Sequence, residues 1–192
     1  MWCLRAMRFP VSVALVAGLV AAEAAIGTEI NFVPEGPEFA AAADEYQAIW
    51  KTEGQVIVNA LRKATGLALE PGPIQAIVYE GVSYSGYRER PMRLRASYSS
   101  ATKRATLVHE LSHRLISDVA PRAVDQHPVI FLFVYDVWLK LWGKEFADEQ
   151  VAVESARRGL YNYESAWRDA LALGSAARAE RWSNLLAEWQ RP

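Results

Sequence analysis

Two histidines four residues apart, His109 and His113, sit inside an otherwise apolar helical pattern and constrain this chain more than any other feature. On an α-helix, side chains four apart share a face, so both imidazoles can be directed at one point. Their neighbours Leu107, Val108, Leu111 and Leu115 are apolar, the pattern of a helix packed inside a protein rather than lying on its surface. The fold must therefore bury a helix carrying two imidazoles. Glu110 follows the first of them, about 100° round the axis. From there it cannot easily share an ion with the two rings, but it can reach a water bound to that ion. Zinc takes neutral nitrogen donors and, in catalytic sites, keeps a fourth position open. It lowers the pKa of a bound water to about 7, and a nearby carboxylate can take the proton. One zinc ion is the expected cofactor, with His109 and His113 as ligands and Glu110 as general base.

The run Thr106-Leu-Val-His109-Glu110-Leu-Ser-His113-Arg-Leu115 resembles the zincin metallopeptidases through their His-Glu-x-x-His motif. The resemblance covers this helix closely and, loosely, the helix–strand–strand–helix order of residues 37–117. Thr106, Leu107, Val108, Leu111, Ser112 and Leu115 fit the family's longer pattern; Arg114 departs from it, being charged where zincins usually are not. The resemblance implies a minimal zincin-like α+β domain that hydrolyses a peptide or protein substrate. A catalytically silent zinc-binding module of the same fold and a metal-free helical interaction protein are the alternatives. The intact Glu110 argues against the first, because a structural zinc site has no use for that carboxylate.

The third ligand decides the subclass. His127, thirteen intervening residues after His113, would complete a three-imidazole site using every histidine in the chain. Its setting, His127-Pro-Val-Ile-Phe131, resembles the third-ligand segment of SprT-like metalloproteases, where a histidine followed by a small residue and an aromatic opens a helix. The rival is a glutamate from a later helix, Glu154 or Glu149, with Glu145 behind them; the segment lacks the spacing that glutamate-ligated zincins usually show. Tyr135, Tyr161 and Tyr163 qualify by type as donors to a developing oxyanion. Asp118 and Asp136 qualify as groups that orient a ligand imidazole.

Around the motif the pattern is that of one domain over residues 26–192. A short extended segment at 31–34 precedes a helix from Pro37 to Gly66, which Gly54 weakens or splits. Residues 74–79 form a strand, 81–86 a turn, and 88–98 a half-exposed strand whose charged face points outward. That second strand resembles the edge on which zincins align an extended substrate. Ser99-Ser100 caps the metal helix, yet Lys103 and Arg104 lie close to its positive end, where basic residues are mildly unfavourable. Helices follow over 129–142, ended by Gly143, then 144–157, 163–173 and 175–189. Helices on both sides of two or more strands make an α+β domain.

Residues 1–25 read as an export signal: Arg5 and Arg8, an apolar run at 11–20, then Ala22-Glu23-Ala24. The run is short for a membrane span, which needs about 20 residues, so no stable span is expected once the signal is removed; an uncleaved N-terminal anchor is the lesser alternative. The expected location is periplasmic or secreted. Cys3, the only cysteine, lies within the signal, so cysteine-based zinc sites and disulfides are excluded from the mature chain. A formal net charge of −1 provides no field to attract nucleic acid. The pattern carries no signal for oligomeric state.

Overall fold

The computed structural model describes residues 28–121, 125–159 and 161–191; the segment read as an export signal lies outside them. Strands β1 (Ile30–Pro34), β2 (Ile74–Tyr79) and β3 (Met92–Arg95) lie side by side in that order, all parallel. Their period of two sets the faces. Ile74, Ala76 and Val78 on β2 and Met92 and Leu94 on β3 are buried, while Gln75 is exposed and Arg93 and Arg95 are half-buried.

The strand expected over 88–98 forms only at Met92–Arg95, because the residues before it are used in a tight turn. Tyr87 and Arg90 exchange both backbone hydrogen bonds at 3.1 Å. Gly86, at φ 57°, lets this turn close: a Cβ there would stand 2.3 Å from the Pro91 carbonyl oxygen. The same loop folds back along β3. Tyr84 and Arg93 exchange backbone bonds of 3.0 and 2.9 Å, and the Ser83 hydroxyl accepts from the Arg95 N–H at 3.0 Å. The outer edge of β3 is therefore covered by the chain itself rather than open, since exposed ladder groups invite foreign strands.

A 3₁₀ turn at Pro37–Phe39 leads into α1 (Ala40–Thr65), which ends at Gly66 with φ 74°. Gly54 neither ends nor splits it. The Trp50 ring, one turn earlier, lies so close that a Cβ at Gly54 would approach it to 2.7 Å, and the indole N–H donates to the Thr28 carbonyl at 3.2 Å. The glycine makes room for the tryptophan.

Helix α2 (Ser100–Ile116) carries the histidine pair. Ser99 caps it, its hydroxyl accepting from the Thr102 N–H at 3.2 Å. The basic residues near its start are answered from α1: Lys103 pairs with Glu45, and Arg104 lies 2.7 Å from Glu53. Their placement is a tertiary matter, which is why helix electrostatics alone gives no reason for it.

Helix α3 (His127–Ser155) breaks at Gly143, whose φ of 87° and ψ of 174° are not helical; its two halves correspond to the two helices expected there. α4 (Tyr163–Leu171) and α5 (Ser175–Trp189) complete the chain. Phe131 stacks on Trp167 with ring centroids 3.7 Å apart, joining α3 to α4. Arg178 donates to both Asp136 oxygens at 2.7 and 3.0 Å, joining α5 to α3. The result is an α+β fold in which α3 packs against α1, α2, α4 and α5, while α1 and α2 also meet the sheet. Among the described residues no helix is long and apolar enough to cross a membrane.

Candidate metal centre

Helix periodicity brings His109 and His113 to one face of α2, and His127, the first residue of α3, enters opposite them. One nitrogen from each ring lies within 4.8 Å of the others. The Nε2 atoms of His109 and His113 are 3.2 Å apart. Each Nδ1 faces an oxygen outside the cluster. For His109 it is Glu154 Oε1 at 2.8 Å, an oblique contact between charges more than an aligned hydrogen bond. For His113 it is Gln126 Oε1 at 2.8 Å, and for His127 it is Asp125 Oδ1 at 2.9 Å. With each Nδ1 turned to an oxygen, Nε2 is the nitrogen each ring has left for an ion.

These residues fit a zinc ion. Two donors on a tetrahedral zinc, each about 2.0–2.1 Å from it, stand about 3.3 Å apart, and the His109–His113 separation of 3.2 Å matches that spacing. Outward-facing Nδ1 atoms with fixed acceptors are the arrangement that orients ligand histidines around metals. Two of the three acceptors are carboxylates, Glu154 and Asp125, whose charge would offset a dication.

Electrostatics divides the three rings. Burial, then the neighbouring imidazoles His109 and His127, push His113 well below the usual histidine range. Burial and His109 also lower His127, against the pull of Asp125. Both are thus neutral donors near pH 7. Burial acts downward on His109 too, but Glu154 outweighs it and the net shift is upward. Glu154 is held below the usual carboxylate range despite burial, because His109, Arg157 at 3.4 Å and the Trp167 indole N–H at 3.0 Å favour its charged form.

Glu110 is only 3% exposed. It has no hydrogen-bond partner among the described residues, and burial raises its pKa to about 7. A buried carboxylate without partners costs stability, and its place beside His109 puts that cost next to the cluster.

The other candidates separate cleanly. Glu154 is at the centre but behind His109, and Glu149 and Glu145 are exposed. Tyr163 and Tyr161 flank His127, with ring centroids 4.6 and 4.4 Å from it. Tyr135 does not join them; its hydroxyl donates to Asp148 at 2.8 Å. Asp118 and Asp136 orient no imidazole, because Asp118 pairs with Arg88 and Asp136 with Arg178. Their expected role falls instead to Asp125, Gln126 and Glu154. Arg157, which no sequence pattern marks, joins the centre: its guanidinium lies 5.7 Å from the rings of both Tyr98 and Tyr163. Arg114, the departure from the zincin pattern, is 2% exposed and points away from the cluster's partners. It donates to the carbonyls of Ser85 at 2.7 Å and Arg90 at 3.3 Å and pairs with Glu70, clamping the β2–β3 loop to α2.

Compared with protein-family models, with curated proteins and with solved structures, the chain matches none of them.

Proposed function

We propose that the chain is an exported zinc-dependent hydrolase of the metallopeptidase type, in which His109, His113 and His127 hold one zinc ion and Glu110 is the general base. The observation that carries this reading is the 3.2 Å separation of two Nε2 atoms whose Nδ1 partners face outward. Zinc, when held there, supplies Lewis acidity to a water and to the scissile carbonyl. The protein's own groups do the rest. Glu110 accepts the proton of the attacking water and passes it to the departing amine. Its lack of partners leaves the carboxylate free for that exchange. Tyr163, half-buried and with its hydroxyl pKa pushed up to about 12, mainly by burial, stays a donor at neutral pH and faces the charge developing on the carbonyl oxygen. Glu154, Gln126 and Asp125 keep the imidazoles aimed. Export rests on the pattern of residues 1–25 alone, and N-terminal sequencing of secreted material, expected to begin near Ala25, tests it.

A second reading, zinc held by the same fold without hydrolysis, draws on one observation: Tyr84 and Ser83 already occupy the β3 edge on which a peptide would add as a strand. Metal analysis of the purified chain and a Glu110→Gln variant separate the readings. Stoichiometric zinc in both proteins, with cleavage of an unfolded protein substrate about 10²–10⁴-fold slower in Glu110→Gln, supports the hydrolase. Equal cleavage by both removes Glu110 from the mechanism, and absence of zinc from the wild type removes the metal.

A further inference from the structure

Of the three groups that face the Nδ1 atoms of the histidine cluster, two are carboxylates and one is an amide. A carboxylate can only accept a hydrogen bond; a glutamine side chain can accept through its oxygen or donate through its nitrogen. We propose that Gln126 is a positioning residue that turns its amide to suit either of two tautomers of His113, one for the empty centre and one for the cation-bound centre. The inference rests on the zinc reading for its second state only.

The empty centre has a contact to resolve. His109 Nε2 and His113 Nε2 are 3.2 Å apart, and two bare lone pairs at that distance repel. When both rings are neutral, one Nε2 must carry a proton and donate it to the other. The charge of Glu154, 2.8 Å from His109 Nδ1 in an oblique contact, favours the His109 proton on that nitrogen. Asp125 does the same for His127 at 2.9 Å. His113 is the ring left to carry Nε2–H, and its Nδ1 then becomes an acceptor. Gln126 can meet that state by presenting its NH₂ group. A cation needs all three Nε2 lone pairs, so His113 must move its proton to Nδ1, and Gln126 must present its oxygen. The structure has the second orientation, with Oε1 2.8 Å from Nδ1. A carboxylate at position 126 would favour that state alone and leave the empty centre with opposed lone pairs. The amide therefore makes metal release tolerable, at some cost in affinity.

The test uses the full chain labelled with ¹⁵N, stripped of metal, in buffer alkaline enough for all three rings to be neutral. Long-range ¹H–¹⁵N spectra identify the protonated nitrogen of each histidine, and His113→Asn assigns the signals. His113 is expected in the Nε2–H form, with His109 and His127 in the Nδ1–H form; one equivalent of zinc should convert His113 to Nδ1–H. In Gln126→Glu the metal-free His113 should already be Nδ1–H, and zinc should bind about tenfold tighter. In Gln126→Leu the zinc dissociation constant should rise about 10–100-fold, the usual effect of losing a group behind a ligand. An Nδ1–H His113 in the metal-free wild type overturns the proposal, as does an unchanged tautomer in Gln126→Glu. If the metal-free spectra are as expected but zinc fails to bind, the zinc reading falls while the tautomer assignment stands.

Discussion

The buried interior holds two regions built on opposite terms. One is an apolar core in which Ile57, Ala76, Val78, Met92, Leu94, Leu107 and Leu111 have no exposed surface, and which continues through Phe131 and Trp138 of α3. Burial there is stabilising, at about 25 cal/mol per Å² of apolar area. The other is the polar centre where α2 meets α3, with His109 and His113 facing His127 and Glu154, and with Glu110 and Arg157 close by. Burying these groups opposes folding unless each finds a partner. Glu154 has His109, Arg157 and the Trp167 indole beside it; Glu110 has no hydrogen bond among the described residues, and the charges of His109 and Arg157 offset its burial only in part. The apolar region holds the chain together; the polar centre is held by it in an arrangement that folding alone would not favour. Perturbed, partner-poor ionisable groups collected at one place are the feature on which the proposed hydrolase reading draws.

The largest expected effect sets the two regions against each other. Free zinc at about a thousand times its dissociation constant should stabilise the wild type by about 4 kcal/mol, and a chelator should remove that gain. His109→Ala should show neither gain nor loss, because two imidazoles hold zinc weakly. Leu94→Ala, in the apolar region, should cost about 2–5 kcal/mol and keep the full zinc response. Denaturant titrations of the three proteins with zinc and with chelator check this. A Leu94→Ala protein blind to zinc would mean that the regions are not independent.

The next effect is confined to the polar side and depends on pH. Glu110 binds its proton more tightly folded than unfolded, since burial raises its pKa from 4.5 to about 7. The stability due to its neutral form is complete below about pH 4.5 and is lost as pH rises through about 7. Metal-free Glu110→Gln should therefore match the wild type at acid pH and exceed it by up to about 3 kcal/mol above pH 7. Denaturant midpoints across that range measure the difference. Bound zinc should shrink it, because the cation compensates the buried carboxylate. A gap that stays flat with pH would show that Glu110 is not desolvated.

What the sequence reveals of these regions depends on how far the causes lie along the chain. Ser99 as cap and Gly143 as break are local, and each is legible from its neighbours. The histidine pair is legible because helix geometry alone joins positions four apart. Asp125 and Gln126 adjoin His127, so their role as acceptors beside a candidate ligand is legible in the sequence. Glu154 and Arg157 reach the centre only through the path of α3 after its break at Gly143, which no local pattern specifies. Arg114 reads as a defect in the zincin motif until the β2–β3 loop is in place to receive it. The covered edge of β3 is hidden for the same reason, being a pairing between a loop and a strand with no periodic signature.

The smallest effect bears on how Glu154 serves the centre, and it sharpens the line between holding a metal and aiming the groups that hold it. Glu154 Oε1 lies 2.8 Å from His109 Nδ1, the nitrogen turned away from the other rings. From there it acts through the imidazole, fixing its tautomer and raising its basicity. Glu154→Gln keeps the volume and the acceptor for the Trp167 indole but removes the charge. Losing such an outer partner typically costs 10–100-fold in metal affinity; the oblique approach of this contact places the expected loss near the lower end, about tenfold. Glu149→Gln, on an exposed position of the same helix half, should change nothing. His127→Ala should lose zinc by orders of magnitude, since it removes one of three donors. Zinc dissociation constants for the three variants, measured by competition with a chelating dye, rank them. Should Glu154→Gln lose zinc as completely as His109→Ala while His127→Ala retains it, the carboxylate is the ligand, and the centre is built from two imidazoles and a glutamate.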